Sequence, residues 1–379
     1  MIPEAVFAQT VLQFFAPIRQ FLEDPTTSDI VINGPFQIYV ERKGVLEAVD
    51  ARFPDREALA AALRNVAQFV GKHADEHRPI LEARLPDGSR LQAVLPPAAP
   101  DGPYVAIRKF PKSSLTVDRL VESGALTIDA AATLGAFIRA KCNVVIAGGT
   151  GTGKTSVLNA LSAYIPETER VVVIEDSKEV SLARKHTVHL EARPPDPKGR
   201  GEVTIRDLFR ATLRMRPDRI VIGEIRGGEA MEIVQAMTSG HGGCLSTLHA
   251  TYPRDTLSRL ETMALMSEVE MPLAAIRVQI GSAIDVIVQV ARLSDGSRKV
   301  THIAEVSGFD AERTAYEMQD IFVREYGDPG AGGEPQSTLV PTGRLPWSLS
   351  RLHEHGVDVA KSVHEAAARR SAGAPRGGP

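Results

Sequence analysis

Hydrophobic residues in the first 23 positions recur every three or four residues, and the period then changes to two. The first pattern predicts an amphipathic helix over residues 1–23, with Pro17 as the point where it would kink. Such a helix either packs on the next domain, which is the commoner case, or binds a membrane or a partner helix. The second pattern, over residues 29–49, is interrupted by turn residues at Gly34 and Gly44 and predicts a small antiparallel meander.

Further elements complete a first domain. Helical spacing returns over residues 55–69, and two strand candidates flank the turn Pro86-Asp87-Gly88. A last strand candidate covers residues 105–110. We therefore predict a small α+β domain over residues 24–112.

The second half of the chain alternates short β-branched runs with helix-compatible segments. Four such runs predict strands near Asn143–Ala147, Arg170–Ile174, Thr187–Leu190 and Arg219–Ile222. This alternation is typical of an α/β domain with a mostly parallel sheet, which we place over residues 113–325.

The periodic pattern fades after Asp310, and residues 328–333 are rich in glycine and proline. Segments of that composition form flexible spacers. We therefore predict residues 326–379 as a flexible C-terminal extension.

One apolar run leads directly into a glycine-rich turn. Residues 148–155 fit the pattern G-x-x-x-x-G-K-T, with a strand before it and a helix after it, which argues against a chance turn. Glycines let several backbone N–H groups face a phosphate, and the helix N-terminus favours negative charge. Lys154 would reach the β- and γ-phosphates, and the Thr155 hydroxyl would ligate Mg²⁺. The predicted phosphate-binding residues are Gly148, Gly149, Thr150, Gly151, Thr152, Gly153, Lys154, Thr155 and Ser156.

Two of the predicted strands end in acids. Glu175 and Asp176 follow one strand, and Glu224 follows another. The carboxyl ends of parallel strands line the ligand crevice of such sheets, so one carboxylate of the first pair could orient and deprotonate a water. Glu224 could support Mg²⁺ through water. The alternative for Glu175 or Asp176 is capping of a helix N-terminus.

Two histidines, His241 and His249, flank a glycine pair and a short strand-like run. A third metal ligand at a sensible spacing is missing, which argues against zinc. An imidazole at a strand end can donate to a phosphate oxygen, so a γ-phosphate sensor is the favoured interpretation. A hydrogen-bonded core histidine is the alternative for each of them.

Three arginines are further candidates. Arg90 and Arg108 lie in the first domain, and Arg226 follows Glu224 closely. A guanidinium that reaches the γ-phosphate would neutralise charge in the transition state. A solvated surface arginine is the alternative in each case.

Composition narrows the classes of partner. The 44 basic and 47 acidic residues give a net charge of −3, and aromatic residues make up 5%, so no nucleic-acid partner is expected. The N-K-x-D motif of GTPases is absent. The two cysteines, Cys142 and Cys244, exclude a cysteine zinc knuckle and argue against a disulfide framework. No apolar run approaches the about 18 residues of a membrane-spanning helix, and no signal-peptide pattern is present, so we expect a cytoplasmic protein.

Four motifs in chain order resemble those of the secretion ATPases of the type II/type IV secretion and pilus superfamily. They are the phosphate loop, Glu175-Asp176, Gly223-Glu224-Ile225-Arg226, and the segment from Gly240-His241 to Thr247-Leu248-His249-Ala250. Four other sequences look like those of the tight-adherence CpaF/TadA-type pilus motor branch. These are residues 29–35, 85–90, 107–110 and 213–218. The tetracysteine zinc insert of type II secretion motors is absent, which moves the match toward the tight-adherence or conjugation-type branches.

The resemblance implies a PAS-like N-terminal domain followed by a RecA-like P-loop ATPase domain, assembled as a homohexameric ring. It implies ATP and Mg²⁺ as cofactors, and a cytoplasmic motor that docks on an inner-membrane platform protein and powers pilus assembly, retraction or secretion. It also implies individual roles. Glu175 would polarise the attacking water, His249 with His241 would sense the γ-phosphate, and Arg90 or Arg108 would approach the phosphates.

Three alternatives stay open at this point. The first is a conjugation or type IV secretion ring ATPase, and the second is a RecA-like nucleic-acid translocase, which the composition disfavours. The third is an ATP-binding regulator without turnover, which the presence of both Glu175 and Glu224 argues against.

Overall fold

The structure is a computed structural model of the chain. It describes residues 4–42, 44–109, 115–182, 184–195, 198–328 and 336–373. The chain divides into two compact units, Met1–Ser113 and Ser114–Pro379, which are described separately.

The first unit is a six-stranded antiparallel sheet with helices. Its helices are α1 (Glu4–Phe14), α2 (Arg19–Glu23) and α3 (Arg56–Phe69). Its strands are β1 (Thr27–Asn33), β2 (Ile38–Arg42), β3 (Val45–Val49), β4 (Ile80–Arg84), β5 (Arg90–Val94) and β6 (Tyr104–Arg108). They are ordered β3-β2-β1-β6-β5-β4, and every pair is antiparallel.

Local sequence explains where these elements begin and end. The N-terminal helical segment is broken as predicted at Pro17, which lies in a 3-10 turn over Ala16–Ile18 because proline has no N–H to donate. Helix α3 begins after Asp55, whose side chain accepts the N–H of Ala58. Alternation along β1 buries Ile30 and Ile32 in the core of this unit.

The second unit contains nine helices and nine strands within the part of the chain that the structure describes. Its helices are α4 (Val117–Glu122), α5 (Ile128–Arg139), α6 (Lys154–Leu161), α7 (Ile205–Thr212), α8 (Ala230–Thr238), α9 (Pro253–Leu265), α10 (Leu273–Ala283), α11 (Leu349–Glu354) and α12 (Lys361–Gly373). Its strands are β7 (Val144–Gly148), β8 (Val171–Glu175), β9 (Thr187–Glu191), β10 (Arg219–Ile222), β11 (Leu245–His249), β12 (Val286–Arg292), β13 (Arg298–Asp310), β14 (Ala315–Tyr326) and β15 (Ser337–Pro341).

All nine strands form one sheet in the order β15-β14-β13-β12-β7-β11-β10-β8-β9. The six strands from β12 to β9 in this order are parallel, and β13 to β15 continue the sheet in antiparallel fashion. On β7, Val144 and Ile146 face one buried cluster while Val145 and Ala147 face another, so the strand is covered on both sides. The expected α/β fold, with a smaller α+β domain before a larger and mostly parallel one, is confirmed.

The sheet order determines what meets at the carboxyl ends of its strands. Strand β11 lies between β7 and β10, and His249 is paired with Gly148 at the strand ends. Strands β8 and β10 end next to each other at Glu175 and Ile222. Because these strands are parallel, the residues that follow them lie at one edge of the sheet.

The region after Asp310 differs from the prediction. Strand β14 runs without interruption to Tyr326, although its buried face includes Gln319 and Arg324. Arg324 is satisfied there by backbone carbonyls, among them Val300 O at 2.8 Å from its Nε atom. Register shifts between β13 and β14, together with these two buried polar residues, interrupt the period of two, so the sequence pattern fades although the strand continues.

The described part of residues 326–379 is not the flexible extension that was predicted, because it packs into the core of the second unit. Leu339, Leu352 and Val363 are buried in the same core cluster as α5. The buried carboxylate of Glu305 accepts the backbone N–H groups of Trp347 at 2.6 Å and of Ser348 at 2.8 Å. These contacts are long-range, and a strand of five residues and a helix of six are too short to show a period. The predicted spacer over residues 328–333 lies outside the described residues except for Asp328, as do residues 374–379 of the predicted extension.

Two further expectations concern the cysteines and the membrane. Cys142 and Cys244 are both buried and unpaired with each other, and burial raises the pKa of each thiol to about 12. Among the described residues, the helices are all too short or too polar to cross a bilayer.

Candidate nucleotide site

The predicted phosphate loop connects β7 to α6. Gly148 ends β7, and a Cβ atom there would lie 2.5 Å from Val290 O and 2.6 Å from the Thr152 hydroxyl, so only glycine fits. Gly153 precedes α6 with a φ of +90°, a left-handed conformation that glycine adopts readily. The sequence motif therefore forms the strand–loop–helix geometry that phosphate binding requires.

Two side chains of the loop converge on one carbonyl group. The hydroxyl of Thr152 and the Nζ atom of Lys154 each donate to Gly149 O at 2.9 Å. Lys154 is only 8% exposed. Burial lowers its pKa, and the carboxylates of Glu224 and Glu179 oppose that shift. The lysine is therefore held inside the loop with anionic groups nearby.

His249 connects this lysine to the carboxylate after β10. Its Nδ1 atom lies 3.3 Å from Lys154 Nζ, and its Nε2 atom lies 2.6 Å from Glu224 Oε1. A lysine ammonium can only donate, so Nδ1 accepts and the ring proton lies on Nε2. Burial and the charge of Lys154 lower the pKa of His249, which favours this neutral tautomer. The structure thus brings Lys154, His249 and Glu224 together as predicted.

Arg226 extends the cluster to the acids after β8. Its Nε atom donates to Glu224 Oε2 at 2.6 Å, and its Nη1 atom donates to Asp176 Oδ2 at 3.1 Å. The side chain of Arg226 is 56% exposed, so the pairs with these two carboxylates contribute little to stability. The cluster can therefore exchange partners at small cost.

Glu175 is an enclosed carboxylate. The residue is 4% exposed, and its Oε1 atom accepts the backbone N–H groups of Glu179 at 2.9 Å and of Val180 at 2.8 Å. Gly223 makes room for it, because a Cβ atom there would lie 2.7 Å from Glu175 Cγ. The described residues between β8 and β9 form no helix, so the carboxylate holds a loop and does not cap a helix N-terminus. The carboxylate holds the loop after β8 and is not exposed toward a water above the phosphate loop.

Glu179 was missed by the sequence analysis. Its Oε2 atom lies 3.4 Å from the hydroxyl of Thr155, the predicted Mg²⁺ ligand. The available signal was a second carboxylate four residues after Glu175, but it follows no strand, and strand ends were the criterion used. Contacts between a loop and a helix are set by tertiary structure, so the spacing alone did not distinguish the two acids.

His241 is not brought to the phosphate loop within one chain. It precedes β11, whereas His249 ends that strand, and a strand of this length separates its two ends by about 13 Å. His241 lies at the amino edge of the sheet beside a cavity of about 220 Å³ that Lys141, Arg219 and Gly240 also line. Its predicted contact with the γ-phosphate stays a prediction.

Arg90 and Arg108 both belong to the first unit. They pair directly with each other across β5 and β6, and the Nε atom of Arg108 donates to Asp29 Oδ1 at 3.0 Å. They therefore lie side by side at one end of that sheet, and their role toward the phosphates stays a prediction.

Comparison with known proteins agrees with these motifs. A profile of the family described as "Type II/IV secretion system protein" matches residues 12–324. The chain belongs to this family. Because the phosphate loop is complete as well, the chain is an ATPase of the secretion-system class.

The similar proteins cover most of the chain. A putative conjugal transfer protein of Mycobacterium tuberculosis is 33% identical over 302 residues, which cover 78% of this chain and 85% of that protein. The type IV secretion system protein VirB11 of Brucella suis biovar 1 is 32% identical over 319 residues, covering 76% of this chain and 88% of VirB11.

Two solved structures share the fold. The ATPase DotB of Yersinia pseudotuberculosis has a TM-score of 0.55 at 18% identity and covers 82% of this chain and 81% of its own. The pilus retraction motor PilT with bound ADP has a TM-score of 0.53 at 17% identity, and the match covers 92% of this chain and 86% of the PilT chain. These likenesses support the predicted ATPase fold.

Proposed function

We propose that this chain hydrolyses ATP as the motor of a secretion or pilus machine, assembled as a homohexameric ring. The observation that carries the proposal is the series of contacts from Lys154 through His249 to Glu224. It joins the loop that would bind the phosphates to a carboxylate that would act in hydrolysis. A protein that only bound nucleotide would not need this connection.

Binding of ATP would change the hydrogen-bond acceptor of Lys154. Its Nζ atom now donates to the neutral carbonyl of Gly149, and phosphate oxygens are stronger acceptors because they are charged. The phosphates would also favour the charged form of the buried amine. Lys154 would therefore exchange Gly149 O for the β- and γ-phosphates when ATP enters.

The residues around Thr155 fit Mg²⁺ by their chemistry, since hydroxyl and carboxylate oxygens are its preferred protein ligands. Thr155 would hold the ion directly, and Glu224 would hold it through water. Bound Mg²⁺ would supply neutralisation of charge on the β- and γ-phosphates.

Three side chains would carry out the remaining steps. Glu179, rather than the enclosed Glu175, would orient the attacking water, because its carboxylate lies at Thr155. Glu175 would keep the loop of Glu179 in place through its two backbone bonds. His249 would sense the γ-phosphate, since any movement of Lys154 changes its contact with the imidazole and hence with Glu224.

Within the family, we propose the tight-adherence pilus branch, on the four branch-like sequences, with an inner-membrane platform protein as partner and a cytoplasmic location. Arg90, Arg108 and His241 would contribute to phosphate contacts through the ring. The names of the relatives favour a second candidate, a conjugation or type IV secretion ring ATPase. Deleting the gene separates the two, since loss of pili supports the first and loss of conjugation or effector export supports the second.

Substitution of the loop lysine tests the proposed binding site. Lys154→Ala should weaken binding of a non-hydrolysable ATP analogue by about a hundredfold or more and abolish turnover, because it removes a charge-assisted contact to two phosphates. The matched control is Lys361→Ala, which removes a lysine that is 89% exposed on α12. Full turnover by the Lys154 variant would refute the site.

Sedimentation with the same analogue tests the ring. Particles of six subunits are expected, and monomers under every condition would contradict the motor.

A further inference from the structure

The carbonyl groups of a phosphate loop need partners of their own. Because the N–H groups must face the anion, the carbonyl oxygens point elsewhere, and each has to find a donor or water. Gly149 O finds its donors within the motif, in Thr152 and Lys154. Gly151 O finds one outside the motif, where Arg298 Nε donates to it at 2.8 Å.

The position of Arg298 follows from the sheet. It is the first residue of β13, directly after a tight turn closed by the bond from Leu293 N to Ser297 O at 2.8 Å. The preceding strand, β12, runs parallel to β7 with Val290 opposite Gly148. The β12–β13 hairpin therefore extends past the end of β7 and brings its turn beside the phosphate loop.

The side chain also packs on the loop. A Cβ atom placed on Gly153 would lie 3.3 Å from Arg298 Cδ, so the arm of the arginine covers the backbone at that glycine. Both Gly151 and Gly153 have positive φ, at +70° and +90°, and glycine backbones lose the most entropy on being ordered. A contact that restrains both therefore acts at the part of the loop that is hardest to keep ordered.

We propose that Arg298 is a positioning residue that holds the nucleotide-free phosphate loop in its binding conformation. It acts through the Gly151 carbonyl and not on the nucleotide. The consequence is preorganisation, because a loop that is already ordered spends less binding free energy on ordering when the phosphates arrive. This inference rests on the proposed nucleotide site, but its first test does not require ATP to be hydrolysed.

The test is hydrogen–deuterium exchange of the loop in nucleotide-free protein. Arg298→Ala should increase amide exchange at residues 149–153. The matched control is Arg292→Ala, because Arg292 is also exposed and lies opposite Arg298 in the same hairpin. The control should leave exchange in the loop unchanged. Arg298→Lys should restore most of the protection, since an ammonium can still donate to a carbonyl oxygen.

The second readout is affinity for a non-hydrolysable ATP analogue with Mg²⁺. Arg298→Ala should raise Kd about three- to tenfold, which is the range expected for losing one charge-assisted hydrogen bond at an exposed site. In turnover, KM should rise by a similar factor with kcat nearly unchanged, since the contact is made before and during the reaction.

The exchange and affinity measurements distinguish failure of this inference from failure of the proposed function. Unchanged loop exchange in Arg298→Ala overturns the inference, and it does so even if affinity falls, because the arginine would then act on the nucleotide itself. Increased loop exchange in a chain that binds no nucleotide supports the role of Arg298 and refutes the proposed function instead.

Discussion

The two edges of the parallel sheet both collect charged and polar side chains, but they use them differently. At the carboxyl edge, Lys154, His249 and Glu224 contact mainly one another, and the imidazole side chain is 37% exposed. At the amino edge, Arg219 is 1% exposed and pairs with Glu169 at 2.5 Å. The imidazole at the first edge is partly exposed, whereas the guanidinium at the second edge is enclosed.

Asn143 holds the amino edge through hydrogen bonds of both its side-chain oxygen and its side-chain amide. Its side-chain oxygen accepts the N–H groups of Gly243 at 2.8 Å and of Cys244 at 3.0 Å, and its amide donates to Ala283 O at 2.7 Å. Such a network fixes the approach to β11 and has no bond to exchange without loss. The contacts of the carboxyl edge, by contrast, can be replaced by those of an anionic ligand. The difference fits the proposed nucleotide site at one edge and a structural role at the other.

The largest expected effect is on turnover, at the carboxyl edge. Glu224→Gln should reduce kcat by about 10²- to 10⁴-fold while leaving analogue binding largely intact, because the amide keeps the size of the side chain but loses its charge. Steady-state ATP hydrolysis measures this. Glu268→Gln is the control, since that carboxylate is 86% exposed. A Glu224 variant that hydrolyses ATP normally would remove the carboxylate from the mechanism.

The next effect is on stability, at the amino edge. Arg219→Met should lower the free energy of unfolding by about 3–5 kcal/mol, because it removes the near partner of the poorly exposed Glu169 carboxylate and leaves it only the more distant Lys141 Nζ at 3.9 Å. Urea denaturation gives the value. Arg210→Met is the control. The Arg210 side chain is 59% exposed, so its ion pair with Glu232 should contribute at most about 1 kcal/mol. Equal effects of the two variants would show that the amino edge is not the closed network described above.

The smallest effect is a change in the pH profile. Burial and the charge of Lys154 lower the pKa of His249 below its ordinary 6.5. The ring is therefore neutral at pH 7 and is protonated only at a pH below 6.5. The protonated ring cannot accept from Lys154 and repels it. Turnover should therefore decline on the acid side, and His249→Gln, which cannot titrate, should flatten that decline. Identical acid limbs for the two proteins would exclude His249 as the titrating group.

The sequence predicted most of what the carboxyl edge contains. A phosphate loop needs adjacent residues in a fixed order, and Glu224 and His249 each follow a buried strand, so local patterns were sufficient for Lys154, Glu224 and His249. They were insufficient for Glu175 and Glu179, since the choice between them depends on Gly223 in a neighbouring strand and on Thr155 in a helix. Arg298 was missed for the same reason, since it reaches the loop from 147 residues away along the chain.

The C-terminal segment shows the same limit in the fold. The packing of this segment depends on the buried carboxylate of Glu305, which accepts the backbone N–H groups of Trp347 and Ser348. These residues lie 42 and 43 positions further along the chain. Such contacts leave no period in the sequence. The helix at residues 56–69, by contrast, was predicted because its apolar face and its cap at Asp55 are both local.

The comparison predicts that the carboxyl edge affects turnover and the amino edge affects stability. The most direct test is to measure the opposite property in each of the two variants. Turnover per folded molecule is measured for Arg219→Met, and the free energy of unfolding is measured for Glu224→Gln. We predict that kcat of the first stays within about twofold of the unsubstituted protein and that stability of the second changes by less than about 1 kcal/mol. A hundredfold loss of kcat in folded Arg219→Met would contradict the account.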